Sequence, residues 1–223
     1  MFFKYSNVIT FLFILLLIPT SAYSDQHNDA APAHSAKLLV LGDSLSAAYG
    51  LKQQQGWVSL LQNKWHNEQI PIEIVNAAVS GETTDGGLAR LPRLLEQHSP
   101  THVLLELGGN DGLQGHNINK VKTNLSSMVE LAQNAGAKVY IQEMQIPTNY
   151  GRRYTQMFTN SFDEIANQYG IEKIPFFLEH IALKPELMQN DGIHPNLEAQ
   201  PMIAEFMYNA LTPLVLGQVA LSK

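Results

Sequence analysis

A flavodoxin-like three-layer α/β/α sandwich on a five-stranded parallel sheet is the fold class the sequence predicts. Three observations predict it. Short apolar runs alternate with stretches of helical periodicity along most of the chain. The runs are apolar on both faces, which suits strands covered by helices on two sides. The 223 residues are 45% hydrophobic and 15% charged, enough for one full core and unlike a disordered chain. Strands separated by helices of this length imply right-handed crossovers and hence a parallel sheet.

Residues 37–41 (KLLVL) form the first run, which stops at Gly42-Asp43. Trp57, Leu60, Leu61 and Trp65 then recur at helical spacing. Residues 72–79 (IEIVNAAV) read as the second strand. Residues 83–97 carry a helical pattern interrupted by Gly86, Gly87 and Pro92. Residues 102–107 (HVLLEL) read as the third strand, ending at Gly108-Gly109. Ile118, Val121, Leu125, Met128 and Ala132 make a helical stripe closed by Gly136. Residues 138–144 are the fourth strand. Phe158, Phe162, Ile165 and Tyr169 form another stripe, closed by Gly170. Residues 171–176 are a weaker fifth strand. Ile203, Phe206, Met207, Ala210 and Leu214 mark the last helix.

The chain begins differently. Residues 1–24 (MFFKYSNVITFLFILLLIPTSAYS) carry Lys4, an apolar run over 8–18, then Pro19 and small residues. That is the layout of a secretory signal peptide, and the run is shorter than the roughly 20 residues that span a bilayer. Cleavage after Ala22 or Ser24 fits. Residues 25–36 are polar, Ala-rich and aperiodic and read as a flexible lead-in, leaving 37–223 as the folded domain. A periplasmic or secreted protein without a stable membrane anchor is expected. With 14 Lys plus Arg against 20 Asp plus Glu, the net charge of −6 disfavours nucleic-acid binding, which relies on cations at phosphates. The absence of cysteine excludes disulfides, thiolate metal sites and Cys nucleophiles.

In open parallel sheets ligands bind beyond the carboxyl ends of the strands. Four loops at that edge carry polar chemistry. Gly42-Asp43-Ser44-Leu45-Ser46 follows strand one and presents a serine on a strand-to-helix turn. Alone it would serve as a helix cap. Ser80-Gly81-Glu82-Thr83 follows strand two, where a glycine lets a ligand approach the backbone. Gly108-Gly109-Asn110-Asp111 follows strand three and offers a neutral NH₂ donor. Asp191-Gly192-Ile193-His194-Pro195 precedes the last helix. There the carboxylate can turn back onto imidazole Nδ1–H and leave Nε2 as a base. Together these complete a hydrolytic site. Ser44 is the nucleophile, His194 its base and Asp191 the group orienting the base. The N–H groups of Ser44 and Gly81 and the side chain of Asn110 would hold an oxyanion.

In order and spacing these segments resemble the sequence blocks of the SGNH (GDSL) hydrolases, and the likeness extends over residues 37–214. The resemblance implies a catalytic triad of Ser44, Asp191 and His194 and an oxyanion hole of Ser44, Gly81 and Asn110. It implies hydrolysis of esters and thioesters of fatty acyl chains, with no metal and no cofactor. The expected partner is a small-molecule acyl ester or thioester, and the expected state a monomer.

Three further segments bear on the substrate. Leu113, within a Gly-bounded stretch over 112–116, would line or cover an acyl chain, or belong to an ordinary loop. Ile146 and Pro147, after strand four, would floor an apolar groove or pack in the core. Arg152-Arg153 offers charge to an anionic group or simply begins a solvated helix. His116 is the one other histidine beside a strand-end loop.

Overall fold

The structure is a computed structural model that describes residues 1–2 and 36–217. The expected leader (1–24) therefore lies outside the described residues except for its first two positions, and the expected lead-in (25–36) except for Ala36. The compact unit Ala33–Lys223 holds the sheet and everything below.

Five parallel strands run in the order β2-β1-β3-β4-β5: β1 Ala36–Gly42, β2 Ile72–Asn76, β3 His102–Glu106, β4 Lys138–Gln142 and β5 Glu172–Ile174. This is the doubly wound order in which the strand order reverses between β1 and β3, the point where such sheets open a crevice. The helices are α1 Trp57–Asn67, α2 Thr84–His98, α3 Gly109–Leu113, α4 Ile118–Asn134, α5 Arg152–Tyr169 and α6 Gln200–Val215. On one face α1 packs on α6; on the other α2, α4 and α5 lie side by side. Leu38, Leu39, Val40 and Leu41 of β1 and Val103, Leu104 and Leu105 of β3 are fully inaccessible to solvent. Both faces of the central strands are thus covered, which is why they read as unbroken apolar runs.

The expected sandwich is the observed one, with local differences at element ends. β2 stops at Asn76, three residues early. The Asn76 side chain accepts from Ala78 N (3.1 Å) and donates to the Ser46 carbonyl (2.9 Å), while Ala77 N and Val79 N still donate to the Val40 and Gly42 carbonyls of β1. β5, the edge strand, ends at Ile174, and Pro175 follows it with its missing N–H on the open side of the sheet. The glycines that weakened the pattern in α2 have a packing reason. A Cβ on Gly87 would lie 2.3 Å from Leu107 Cδ1, so this glycine lets α2 close onto the end of β3. The short helix α3 stands where the sequence pattern shows only a Gly-rich loop. Gly108, at φ +112°, reverses the chain after β3 and starts it.

Candidate active site

The four predicted loops meet at the carboxyl edge of β1, β2 and β3. Gly42, the last residue of β1, pairs with Glu106, the last of β3. The chain then turns, with Ala47 N bonding to the Asp43 carbonyl and Tyr49 N to that of Ser44. Ser44 Oγ lies 2.8 Å from His194 Nε2. His194 Nδ1 lies 2.7 Å from Asp191 Oδ2. Because the carboxylate only accepts, Nδ1 carries the proton and Nε2 is left to accept from Ser44.

Asp191 is held by its own turn. Its Oδ1 accepts from Ile193 N (2.9 Å) and His194 N (3.0 Å). Burial pulls its carboxyl upward, but the His194 backbone N–H, the imidazole and the Ile193 N–H outweigh that and hold it down at about 2. The loop is tied back by Gln189, whose N–H donates to the His194 carbonyl (2.8 Å) and whose side chain donates to the carbonyls of Tyr49 (2.8 Å) and Pro195 (3.1 Å). The Tyr49 ring covers the imidazole, with centroids 4.3 Å apart.

The three N–H groups expected to serve an oxyanion belong to Ser44, Gly81 and Asn110. No acceptor among the described residues takes the N–H of Ser44 or of Gly81, and Gly81 sits at φ +80°. The third donor is already engaged. Asn110 gives one amide hydrogen to Asp43 Oδ2 (3.1 Å) and the other to the Glu82 carbonyl (2.9 Å). Both Asn110 amide hydrogens thus have acceptors in this structure. The Glu82 loop is anchored by Arg90, which pairs with the Glu82 carboxylate at 2.6 Å and donates to the Ala77 carbonyl.

Residues 40–200 match the model of the family described as GDSL-like lipase/acylhydrolase. The chain belongs to the GDSL-like lipase/acylhydrolase family. It is 47% identical over 182 residues to an arylesterase of Vibrio mimicus, covering 82% of this chain and 91% of that one. It is 42% identical over 207 residues to thioesterase 1/protease 1/lysophospholipase L1 of Escherichia coli K12, covering 93% of each. Among solved structures it resembles the psychrotrophic esterase EstA of a Pseudoalteromonas species, inhibited by monoethylphosphonate. There the identity is 50%, the TM-score 0.79 and the coverage 81% of this chain and 98% of that one. The family resemblance read from the four segments is thus the right one, and so is the fold.

In this GDSL-family chain several residues that the loop reading passed over support the site. Asp43, 3% exposed, accepts from Leu45 N (3.0 Å) as well as from Asn110. Asp111 is equally buried. Its carboxylate takes Thr84 N and Thr84 Oγ1, each at 2.8 Å, so it caps α2 from the neighbouring loop. That pair bolts the Gly81 loop to the Asn110 helix. Asn124 completes the cluster by donating to Thr84 Oγ1 (3.0 Å). His116 turns onto Asp111, at 3.3 Å.

The residues expected to meet substrate are spread by depth. Leu113 is half-buried at the end of α3, Ile146 is buried in the core and Pro147 is exposed. A Cβ on Gly112 would meet Ile146 Cγ2 at 2.7 Å, so this glycine lets α3 rest on Ile146. Two tyrosines tie the segment after α3 to the one after β4. Tyr150 Oη donates to the Leu113 carbonyl (2.9 Å) and Tyr154 Oη to that of His116 (2.8 Å). Arg152 lines a surface hollow with Thr148, Thr155, Gln156, Thr159 and Asn160, apart from Ser44, Asp191 and His194.

Proposed function

We propose that the chain hydrolyses carboxylic esters and thioesters of acyl chains through an acyl-enzyme on Ser44. Esterase and thioesterase activity follows from the family and from relatives named arylesterase and thioesterase 1/lysophospholipase L1. The observation that carries the residue assignment is the unbroken relay from Ser44 Oγ through His194 to Asp191, at 2.8 and 2.7 Å. In this reading His194 Nε2 takes the Ser44 proton as Oγ attacks the acyl carbonyl. The oxyanion draws on the N–H of Ser44 and Gly81 and on the Asn110 amide hydrogen that Glu82 O releases. His194 then protonates the departing alcohol or thiol, and a water repeats the sequence on the acyl-enzyme. Leu113, the last residue of the Asn110 helix, and Pro147 are the proposed apolar surface for the acyl chain, with Ile146, which lies against Gly112, beneath.

We propose also that residues 1–24 are removed as a leader, that 37–223 is the working domain, and that the enzyme acts as a monomer outside the cytoplasm. No helix among the described residues is long and apolar enough to cross a membrane.

The test is a substrate panel on the mature protein: nitrophenyl esters of increasing chain length and acyl thioesters, against Ser44→Ala. Turnover should vanish in the folded variant. A fluorophosphonate, chemically related to the phosphonate that inhibits the Pseudoalteromonas relative, should add its mass to Ser44 alone. A folded Ser44→Ala that still turns over, or a label on another residue, would overturn the assignment.

A further inference from the structure

One carboxyl beneath the nucleophile turn has no role in the relay. Glu106 ends β3 and is completely buried. Its Oε2 accepts from Asp43 N (3.2 Å) and from Ser46 Oγ (2.6 Å), the residues on either side of Ser44-Leu45. It lies directly over Gly42: a Cβ there would come within 2.5 Å of the same oxygen. Its other oxygen, Oε1, has no partner.

A second orphan stands on the next strand. β3 and β4 pair Leu104 with Tyr140 and Leu105 with Ile141, so the next step of that register sets Gln142 beside Glu106 on the same face. Gln142 is also completely buried, and its Oε1 has no partner either. These are two of the three orphaned buried side-chain atoms among the described residues; the third, on His102, sits at the opposite end of β3. Turning the Gln142 amide over does not resolve the pair. Its Nε2 donates to the carbonyls of Ile174 (3.3 Å) and Pro175, and a flipped amide would set oxygen against both. Oε1 is thereby left to the β3 side. Two buried acceptors left unmade side by side are costly, and one proton between them repairs both.

We propose that Glu106 is a neutral carboxylic acid in the folded enzyme, its Oε1–H donated to Gln142 Oε1, and that in this form it positions the turn carrying Ser44. The row Gly42, Glu106, Gln142 then crosses three adjacent strands beneath the nucleophile. The surroundings agree. Asp43, on the turn after β1, is itself buried, accepts from Leu45 N and Asn110, and brings its carboxyl within hydrogen-bonding reach of Glu106, which makes it the competing acceptor for the same proton. From β4 only the neutral Gln142 faces Glu106. Burial raises the Asp43 carboxyl to about 6 against the Leu45 N–H and Glu106, with His194 favouring its charge and Asp111 opposing it. No cation pairs with Glu106 or Asp43 among the described residues. Burial, and then the neighbouring Asp43, push the Glu106 carboxyl well above the usual carboxylate range.

The protonation stands apart from the proposed function; the positioning role rests on Ser44 as nucleophile. The experiment separates them. Infrared spectra of the folded protein at neutral pH should show a protonated-carboxyl C=O band that Glu106→Gln removes. Glu106→Gln keeps both sets of hydrogen bonds, its NH₂ replacing the acid O–H. Because wild type holds a proton that its unfolded chain releases, wild-type stability falls as pH rises above the acid range. The folding equilibrium of Glu106→Gln should therefore improve on wild type by about tenfold per pH unit between the unfolded-state and folded-state titrations. Glu106→Gln should retain the kcat that Glu106→Leu loses by about 10²-fold through a misplaced nucleophile. A missing band, a band that survives Glu106→Gln and vanishes in Asp43→Asn, or a pH-independent stability difference overturns the protonation. A Glu106→Gln variant with normal stability but the crippled kcat expected of Leu overturns the positioning role alone.

Discussion

Asn110→Ala is the substitution on which the oxyanion hole stands or falls. Asn110 has two attachments in the resting enzyme, Asp43 Oδ2 at 3.1 Å and the Glu82 carbonyl at 2.9 Å. Only the second can be surrendered to a substrate without stripping a buried carboxylate. Removing one such donor raises the barrier by about 2.7–4 kcal/mol, roughly 10²–10³ in kcat. KM should change little, because the charge it meets exists only in the transition state. A second effect follows from the burial of Asp43, which is 3% exposed. Leaving its Oδ2 without a donor costs about 1–3 kcal/mol of stability. For a domain of this size that lowers Tm by roughly 2–12 °C, and the protein should still fold. Stability loss therefore does not by itself argue against catalysis at this residue; kcat per folded molecule decides. Asn110→Asp should be at least as damaging, since it sets a negative charge against Asp43 and the developing oxyanion. Thermal melts and steady-state kinetics with a nitrophenyl ester, corrected for the folded fraction, supply both numbers. If kcat per folded Asn110→Ala molecule stays within about threefold of wild type, far from the loss expected of an oxyanion donor, the hole is built from other groups and Asn110 only braces Asp43.

Three further outcomes follow from the same geometry. Thr84→Val removes a hydroxyl that bonds Asp111 at 2.8 Å and accepts from Asn124 at 3.0 Å. It should reduce stability by about 1–3 kcal/mol and lower kcat through the Gly81 and Asn110 loops it joins; unchanged melts and kinetics would show the clamp to be idle. Asp191→Asn should lower kcat by about 10⁴ by releasing the imidazole tautomer. Because the Asp191 carboxyl is depressed to about 2, its contribution to stability is complete above the ordinary carboxylate value of about 3.9 and is lost as pH falls through the depressed one. The Tm gap between wild type and Asp191→Asn should therefore narrow on acidification across that window and be flat above it, and a gap that widened would contradict the sign. Gly42→Ala places a methyl 2.5 Å from Glu106 Oε2 and 2.9 Å from Ser46 Cβ, so soluble variant should show impaired fluorophosphonate labelling of Ser44, and normal labelling kinetics would show the turn to be more yielding than its packing implies.

The sheet was legible because parallel strands covered on both faces must be apolar throughout, and runs such as 37–41 and 102–107 are so nearly uniform that little else suits them. The relay was legible because its three residues lie on two short segments and because the edge where such segments meet follows from strand order. What escaped the reading depends on which polar atoms face one another across strands. Glu106 reads in sequence as the last residue of an apolar strand, and nothing local says that its carboxyl lies over Gly42 or beside Gln142; a charged residue closing a doubly buried run was the one available signal. Asp111 reads as a turn residue, although it caps a helix 27 positions earlier in the chain. Asn110 shows the same limit from the opposite side. A sequence reading counts its NH₂ as a free donor, whereas the folded chain already gives both hydrogens to acceptors. That resting occupancy has a catalytic consequence. In the proposed mechanism the Asn110 N–H, oriented by the Glu82 carbonyl before substrate arrives, would exchange that acceptor for the developing oxyanion without having to be repositioned.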